Sequence, residues 1–203
     1  GGYVLQQIID QVVLPTRPTS EWPLVVGFSD ITALHALMSV HGVPSLHASM
    51  CKAIATLPDD AVALSLLRNA LEGKLHGEGV IGGGRNIIGG NLSVLYGLQG
   101  TPYSLHAIID SCVEPPVLLL EDICEKHYHI DRMMNNLRLS GVLSRLSGVI
   151  VGQFTDCDDD PRMGCTLRET LQYYLDQYDY PVVWDAPYGH EDDNRPIMFS
   201  LQV

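Results

Sequence analysis

Apolar and polar positions along the chain follow two alternating periods. Leu24-Val25-Val26 is a short apolar run ahead of Gly27 and reads as a buried strand. The next stretch, Ile31-Thr32-Ala33-Leu34-His35-Ala36-Leu37-Met38, has the three-to-four spacing of an amphipathic helix. A helical apolar pattern resumes after Pro44 and ends at Leu57-Pro58-Asp59-Asp60, a turn signal. Residues 61–75 read as a helix with Val62, Leu64, Leu67 and Leu71 on its apolar positions, after which Gly77, Gly79 and Gly82-Gly83-Gly84 change the composition abruptly. Beyond them the pattern predicts a short strand at Val80-Ile81, a helix over 92–98, a strand over 117–120 and a helix over 130–140. A strand over 149–151, a helix over 167–178 and a strand over 182–184 complete the series. The expected fold is α/β with two domains: residues 1–60, a linker over 61–84, and residues 85–203.

Gly27-Phe28-Ser29-Asp30 places a serine at the turn from strand to helix. There the first free N–H groups and the positive end of the helix dipole can stabilise an oxyanion, the logic of a nucleophile elbow, and the Asp30 N–H is well placed for it. Ser and Asp are also preferred helix caps, so a capping role stands beside the catalytic one. Glu121 closes the apolar run Pro116-Val117-Leu118-Leu119-Leu120, at the carboxyl end of a strand where α/β sheets present functional groups. Asp122 and Glu125 compete with it, and a salt bridge to Arg132 is its bland alternative. His190 lies in the turn-rich Ala186-Pro187-Tyr188-Gly189-His190-Glu191, which suits a histidine delivered by a loop. Its rival is His35, about one helical turn past Ser29 and expected to lie along the helix.

Four separated segments stand out together: Gly1-Gly2-Tyr3; Gly27 through His35; Gly89-Gly90-Asn91-Leu92-Ser93 with Gly100-Thr101-Pro102; and Leu120-Glu121-Asp122 through Ile130-Asp131-Arg132, with Gly189-His190 near the end. In this order and spacing they resemble the LD-carboxypeptidase family of serine peptidases, the murein tetrapeptide carboxypeptidases and their microcin-immunity relatives. The resemblance implies a partial Rossmann-like amino-terminal domain, a mixed α/β carboxy-terminal domain and an active site in the cleft between them. It implies Ser29, Glu121 and His190 as a catalytic triad, with Gly2 as the second oxyanion donor beside Asp30. In the family Gly-Gly-Tyr follows several strands and helices of the amino-terminal domain, so the chain is expected to begin inside that domain; Val4 stands where the family usually has another glycine. The expected substrate is a muropeptide ending in D-alanine, with no cofactor or metal, and the expected assembly a homodimer. The alternatives are a hydrolase of peptidyl-nucleotides and a non-catalytic muropeptide-binding protein or inactive fragment.

A terminal carboxylate needs a cation or a cluster of N–H donors, for which Arg132 and Arg85 are candidates, while Asn91 and Ser93 shape the cleft or cap a helix. Composition narrows the picture further. The 203 residues are 46% hydrophobic and 18% charged, enough to bury a substantial core. A net charge of −12, with twelve scattered basic residues, argues against a nucleic-acid partner. No apolar run reaches the length of a membrane span or signal-peptide core, which favours a cytoplasmic address. Five cysteines without tight pairing spacing point to reduced thiols. Asp156-Cys157-Asp158-Asp159-Asp160 lacks the glycine and terminal glutamate of a calcium loop and reads as a solvated acidic loop. His127-Tyr128-His129, taken as extended, would put two imidazoles on one side as zinc ligands, but no compact third and fourth ligand accompanies them.

Overall fold

The computed structural model describes residues 4–74 and 86–201. A one-turn helix α1 (Leu5–Ile8) precedes β1 (Val25–Gly27), which leads through a 3-10 turn (Ser29–Ile31) into α2 (Thr32–Val40). Then come β2 (Ser45–His47), α3 (Cys51–Thr56) and α4 (Val62–Leu71). The second half runs β3 (Ile87–Asn91), α5 (Leu92–Gly97), α6 (Leu105–Ser111), β4 (Val117–Ile123), α7 (His127–Leu139) and β5 (Gly148–Thr155). It finishes with α8 (Leu167–Leu175), β6 (Val182–Val183) and β7 (Ile197–Phe199).

Strands β3, β4, β5 and β6 form a parallel sheet in that order, and β1 pairs parallel with β2. The last strand, β7, runs antiparallel to β2 and reaches β3 through a bridge between Ile87 and Ser200. The carboxyl-terminal strand therefore stitches the two sheets together. Side chains along the parallel sheet alternate between two apolar layers, as the two-residue period of a strand requires. Ile88, Leu118, Leu120, Val149 and Val151 enter the larger core, whereas Ile87, Val117, Leu119 and Ile150 enter a second cluster with Tyr188, Ile197 and Phe199. Ala33, Ala36 and Leu37 of α2 lie in the same core as Leu92, Leu95 and Ile108, so the apolar interior is continuous from the Ser29 helix to the second half.

The structure differs from the pattern-based reading at particular elements. The segment after Pro44 forms β2 before a short helix; all three residues of β2 are buried between β1 and β7, where the alternation that marks a strand is lost. No element is predicted over Gly89-Gly90-Asn91, which closes β3; a Cβ on Gly89 would collide with the Leu119 carbonyl oxygen, and only glycine allows that approach. Helix α7 begins at His127, not Ile130, so His127-Tyr128-His129 is helical and its two imidazoles do not share a face. The strand expected at Val80-Ile81 lies outside the described residues. At Gly89 the φ of +127° adds backbone strain to the steric conflict. Gly89→Ala is expected to destabilise the fold by about 2–4 kcal/mol, read as a lower urea midpoint at unchanged m-value.

Candidate active site

Ser29 leaves β1 with a φ of +61°, a left-handed conformation that a non-glycine residue adopts only when its surroundings enforce it. Gly27 and Asp30 hold the turn on its two sides. Gly27 packs so closely on Ile31 that a Cβ there would meet it at 2.8 Å. Asp30 is buried, and its Oδ2 accepts hydrogen bonds from the N–H groups of Val4 and Leu5 at 3.2 and 3.3 Å. The Asp30 side chain therefore ties the start of α1 to the turn. Gly2 lies outside the described residues, as does Arg85.

Glu121 sits near the end of β4 and is fully buried. The β4–β5 register jumps from Leu120 opposite Val151 to Asp122 opposite Phe154, leaving Gly152 and Gln153 of β5 opposite the single residue Glu121. This bulge bends β5 and re-aims the local side chains. It also makes room for the following chain: a Cβ on Gly152 would lie 2.4 Å from the Tyr188 carbonyl oxygen. Residues 186–191 are laid along β5 by three bonds: Ala186 N–H to Val151 O, Gln153 N–H to Tyr188 O, and Glu191 N–H to Gln153 Oε1. The outcome is His190 Nδ1 at 2.9 Å from Glu121 Oε2. Asn194 holds the same loop, accepting from Gly189 N–H through Oδ1 and from Ser49 Oγ through its carbonyl.

With the carboxylate accepting, the imidazole proton is fixed on Nδ1 and Nε2 is left as the base. Nε2 is buried and has no hydrogen-bond partner among the described residues. Phe28 packs edge-on against the His190 ring, with centroids 4.8 Å apart. Phe28, Ser29 and His190 line one cavity of about 300 Å³, together with Ser49, Lys52 and Ile123. Ser29 Oγ and His190 Nε2 share no hydrogen bond. Burial raises the Glu121 carboxyl above its usual range and Asp122 adds to the rise, while the His190 contact opposes it.

The competing residues have other partners. Asp122, also raised chiefly by burial, accepts from Asn91 Nδ2, from Ser93 N–H and Oγ, and from Ile123 N–H. Asn91 caps α5 by accepting from Val94 N–H, so Asn91 and Ser93 anchor a carboxylate and a helix start. Glu125 bonds to His129, and His127 to Thr170. Asp159 and Asp160 accept backbone N–H groups, and among the described residues no group of three His, Cys, Asp or Glu side chains is placed to hold a metal ion. His35 is buried between Ser45 Oγ at 2.8 Å and Gly27 O at 2.9 Å, which makes it a structural histidine. Lys52, Ser49 and Asn194 escaped the sequence reading because nothing local marks them; they meet the site only through the fold.

The family model for the LD-carboxypeptidase C-terminal domain matches residues 84–203, the stretch that holds both Glu121 and His190. The chain belongs to the LD-carboxypeptidase family. The murein tetrapeptide carboxypeptidase of Pseudomonas aeruginosa is 28% identical over 212 residues, covering 96% of this chain and 66% of that protein. The muramoyltetrapeptide carboxypeptidase of Oxalobacter formigenes shares the fold at a TM-score of 0.71 and 24% identity, over 87% of this chain and 62% of that one. The microcin C7 self-immunity protein MccF, solved with aspartyl sulfamoyl adenosine, matches at a TM-score of 0.68 and 18% identity, over 91% of this chain and 64% of that one. This chain spans 61–66% of the length of six curated carboxypeptidase relatives. No helix among the described residues is long and apolar enough to cross a membrane.

Two buried imidazoles near the site favour the unfolded chain in acid. Burial lowers His35 to about 4, opposed by its bond to the Gly27 carbonyl. His47 falls to about 3, first through burial and then through the neighbouring His35 and His190, with Asn194 opposing. Below pH 6.5 the unfolded chain protonates both rings while the folded chain keeps them neutral, so stability falls with pH. Burial of Glu121 and Asp122 acts in the opposite sense, so the imidazole contribution is read by difference: in urea titrations His47→Leu is expected to lose about 1 kcal/mol less than the wild type between pH 6 and pH 5.

Proposed function

We propose that the protein is a serine-type L,D-carboxypeptidase that releases the terminal D-alanine of murein tetrapeptides in the recycling of cell-wall peptides. The observation that carries this reading is the buried Glu121–His190 pair, whose histidine lines one cavity with Ser29, itself held at a positive φ. In this reading residues 1–60 supply the nucleophile and residues 85–203 supply the acid and the base. His190 Nε2 takes the Ser29 proton as Oγ attacks the scissile carbonyl, and Glu121 holds the tautomer and stabilises the imidazolium. The proton passes from His190 to the departing D-alanine nitrogen, leaving an ester on Ser29. Water, activated by the same imidazole, then hydrolyses that ester. The Asp30 N–H is one oxyanion donor and Gly2 supplies the other. The family resemblance also carries the expectation of a homodimer.

A second reading, hydrolysis of a peptidyl-nucleotide, draws on the fold shared with MccF. Turnover of such a conjugate without action on murein peptides would select it, and tight muropeptide binding without hydrolysis would select a binding protein. On the leading reading, Ser29→Ala lowers kcat for D-alanine release by about 10⁴- to 10⁶-fold. Glu121→Gln lowers it by about 10³- to 10⁴-fold at nearly constant KM. D-alanine release retained by a folded Ser29→Ala protein ends the nucleophile assignment.

A further inference from the structure

We propose that Lys52 is the cation that holds the terminal carboxylate of the peptide, which makes it the residue that selects for cleavage of the last bond. The inference rests on the Ser29 reading above and goes beyond it by naming a specificity group. The topology supplies the placement. Strands β1 and β2 are parallel and in register, with Gly27 opposite His47, and Ala48 N–H donates to the Gly27 carbonyl at 3.0 Å. The chain therefore leaves both strands at the same edge of the sheet, Ser29 two residues past one strand end and Ser49 two residues past the other. Helix α3 starts directly after, and Ser49, Met50, Lys52 and Ala53 form the wall of the cavity that Ser29 and His190 also line.

Charge decides what that wall can bind. Among the described residues lining the cavity, Lys52 is the sole lysine or arginine, and it makes no ion pair among the described residues. Glu191 and Asp192 belong to the same lining, in the loop that carries His190. A substrate carboxylate placed against those acids would meet like charge, whereas against Lys52 it finds a point charge on a flexible stem. In a carboxypeptidase that carboxylate lies only about one residue, roughly 4 Å, beyond the scissile bond, so its partner must line the nucleophile's own cavity.

No other lysine or arginine among the described residues lines this cavity, and most of the arginines are engaged elsewhere. Arg132 lines a separate cavity of about 200 Å³ with Ser93, Glu125 and His129, and its guanidinium lies over the Tyr128 ring. Arg68, Arg145, Arg162, Arg168 and Arg195 each face an aspartate.

The test measures binding of two peptides, a murein tetrapeptide ending in D-alanine and the same peptide ending in D-alaninamide, by calorimetry. The Ser29→Ala background prevents hydrolysis. The free acid is expected to bind about 10- to 100-fold more tightly than the amide. Lys52→Met is expected to abolish that preference and Lys52→Arg to keep most of it. Lys52 is exposed on a short surface helix, so matched melting temperatures verify that the variants are folded. An acid preference that survives Lys52→Met, or no preference in either protein, overturns the assignment. Turnover by wild type and Ser29→Ala is read separately: activity lost in Ser29→Ala alongside an unchanged preference in Lys52→Met overturns only the lysine, whereas activity retained in Ser29→Ala overturns the nucleophile reading beneath it.

Discussion

A carboxylate with no solvent exposure must keep a partner, and Glu121 keeps His190. Removing one member of such a pair strands the other, at a cost of about 3–5 kcal/mol. The surrounding structure is arranged around that requirement. The apolar run of β4 carries Glu121 to the strand end, the bulge in β5 admits the returning chain, and the bare backbone at Gly152 lets Tyr188 lie against it. Asn194 then closes the loop from its far side. Each device is modest alone, but together they leave the imidazole one position beside the carboxylate.

A second constraint brings the serine to that pair. Helix α2 packs into the core shared with the second half, and Thr32 Oγ1 accepts from Asn91 N–H at 3.0 Å. Gly90 makes this approach possible, since a Cβ there would lie 2.5 Å from Thr32 Oγ1. The paired glycines therefore serve packing on two sides, Gly89 toward β4 and Gly90 toward the helix that follows Ser29. Strand β7 completes the junction by hydrogen-bonding to β2 and bridging to β3. Residues far apart in the chain are thereby held by backbone bonds as well as by apolar burial.

The polar interior follows the same economy. Asp122, next to Glu121, accepts four hydrogen bonds from Asn91, Ser93 and Ile123, so the two adjacent buried acids have different jobs. His35 and His47 are kept neutral by burial, which leaves the interior near His190 free of competing positive charge at neutral pH. Both arrangements are tertiary in origin: three of the four bonds on Asp122 and the burial of both imidazoles depend on segments distant in the chain.

Local sequence determined the elements whose signals are local. The run Leu24-Val25-Val26, the helix after Ser29, the strand that carries Glu121 and the helix α8 are legible because strand and helix periods appear in the side chains themselves. The turn at Ser29 and the glycine before His190 are equally local. Strands β2, β3 and β7 were not legible: β2 is buried throughout, three of the five residues of β3 are glycine or asparagine, and β7 has meaning only as the partner of strands more than a hundred residues away. Only the tertiary structure decided that Glu121 rather than Asp122 or Glu125 faces His190, because the loop that carries His190 packs with Tyr188 on the face of β4 that Leu119 and Glu121 share, whereas Asp122 turns to Asn91 and Ser93. It likewise decided that Lys52 shares a cavity with Ser29, since two parallel strand ends meet at one edge by pairing across space, not by spacing along the chain.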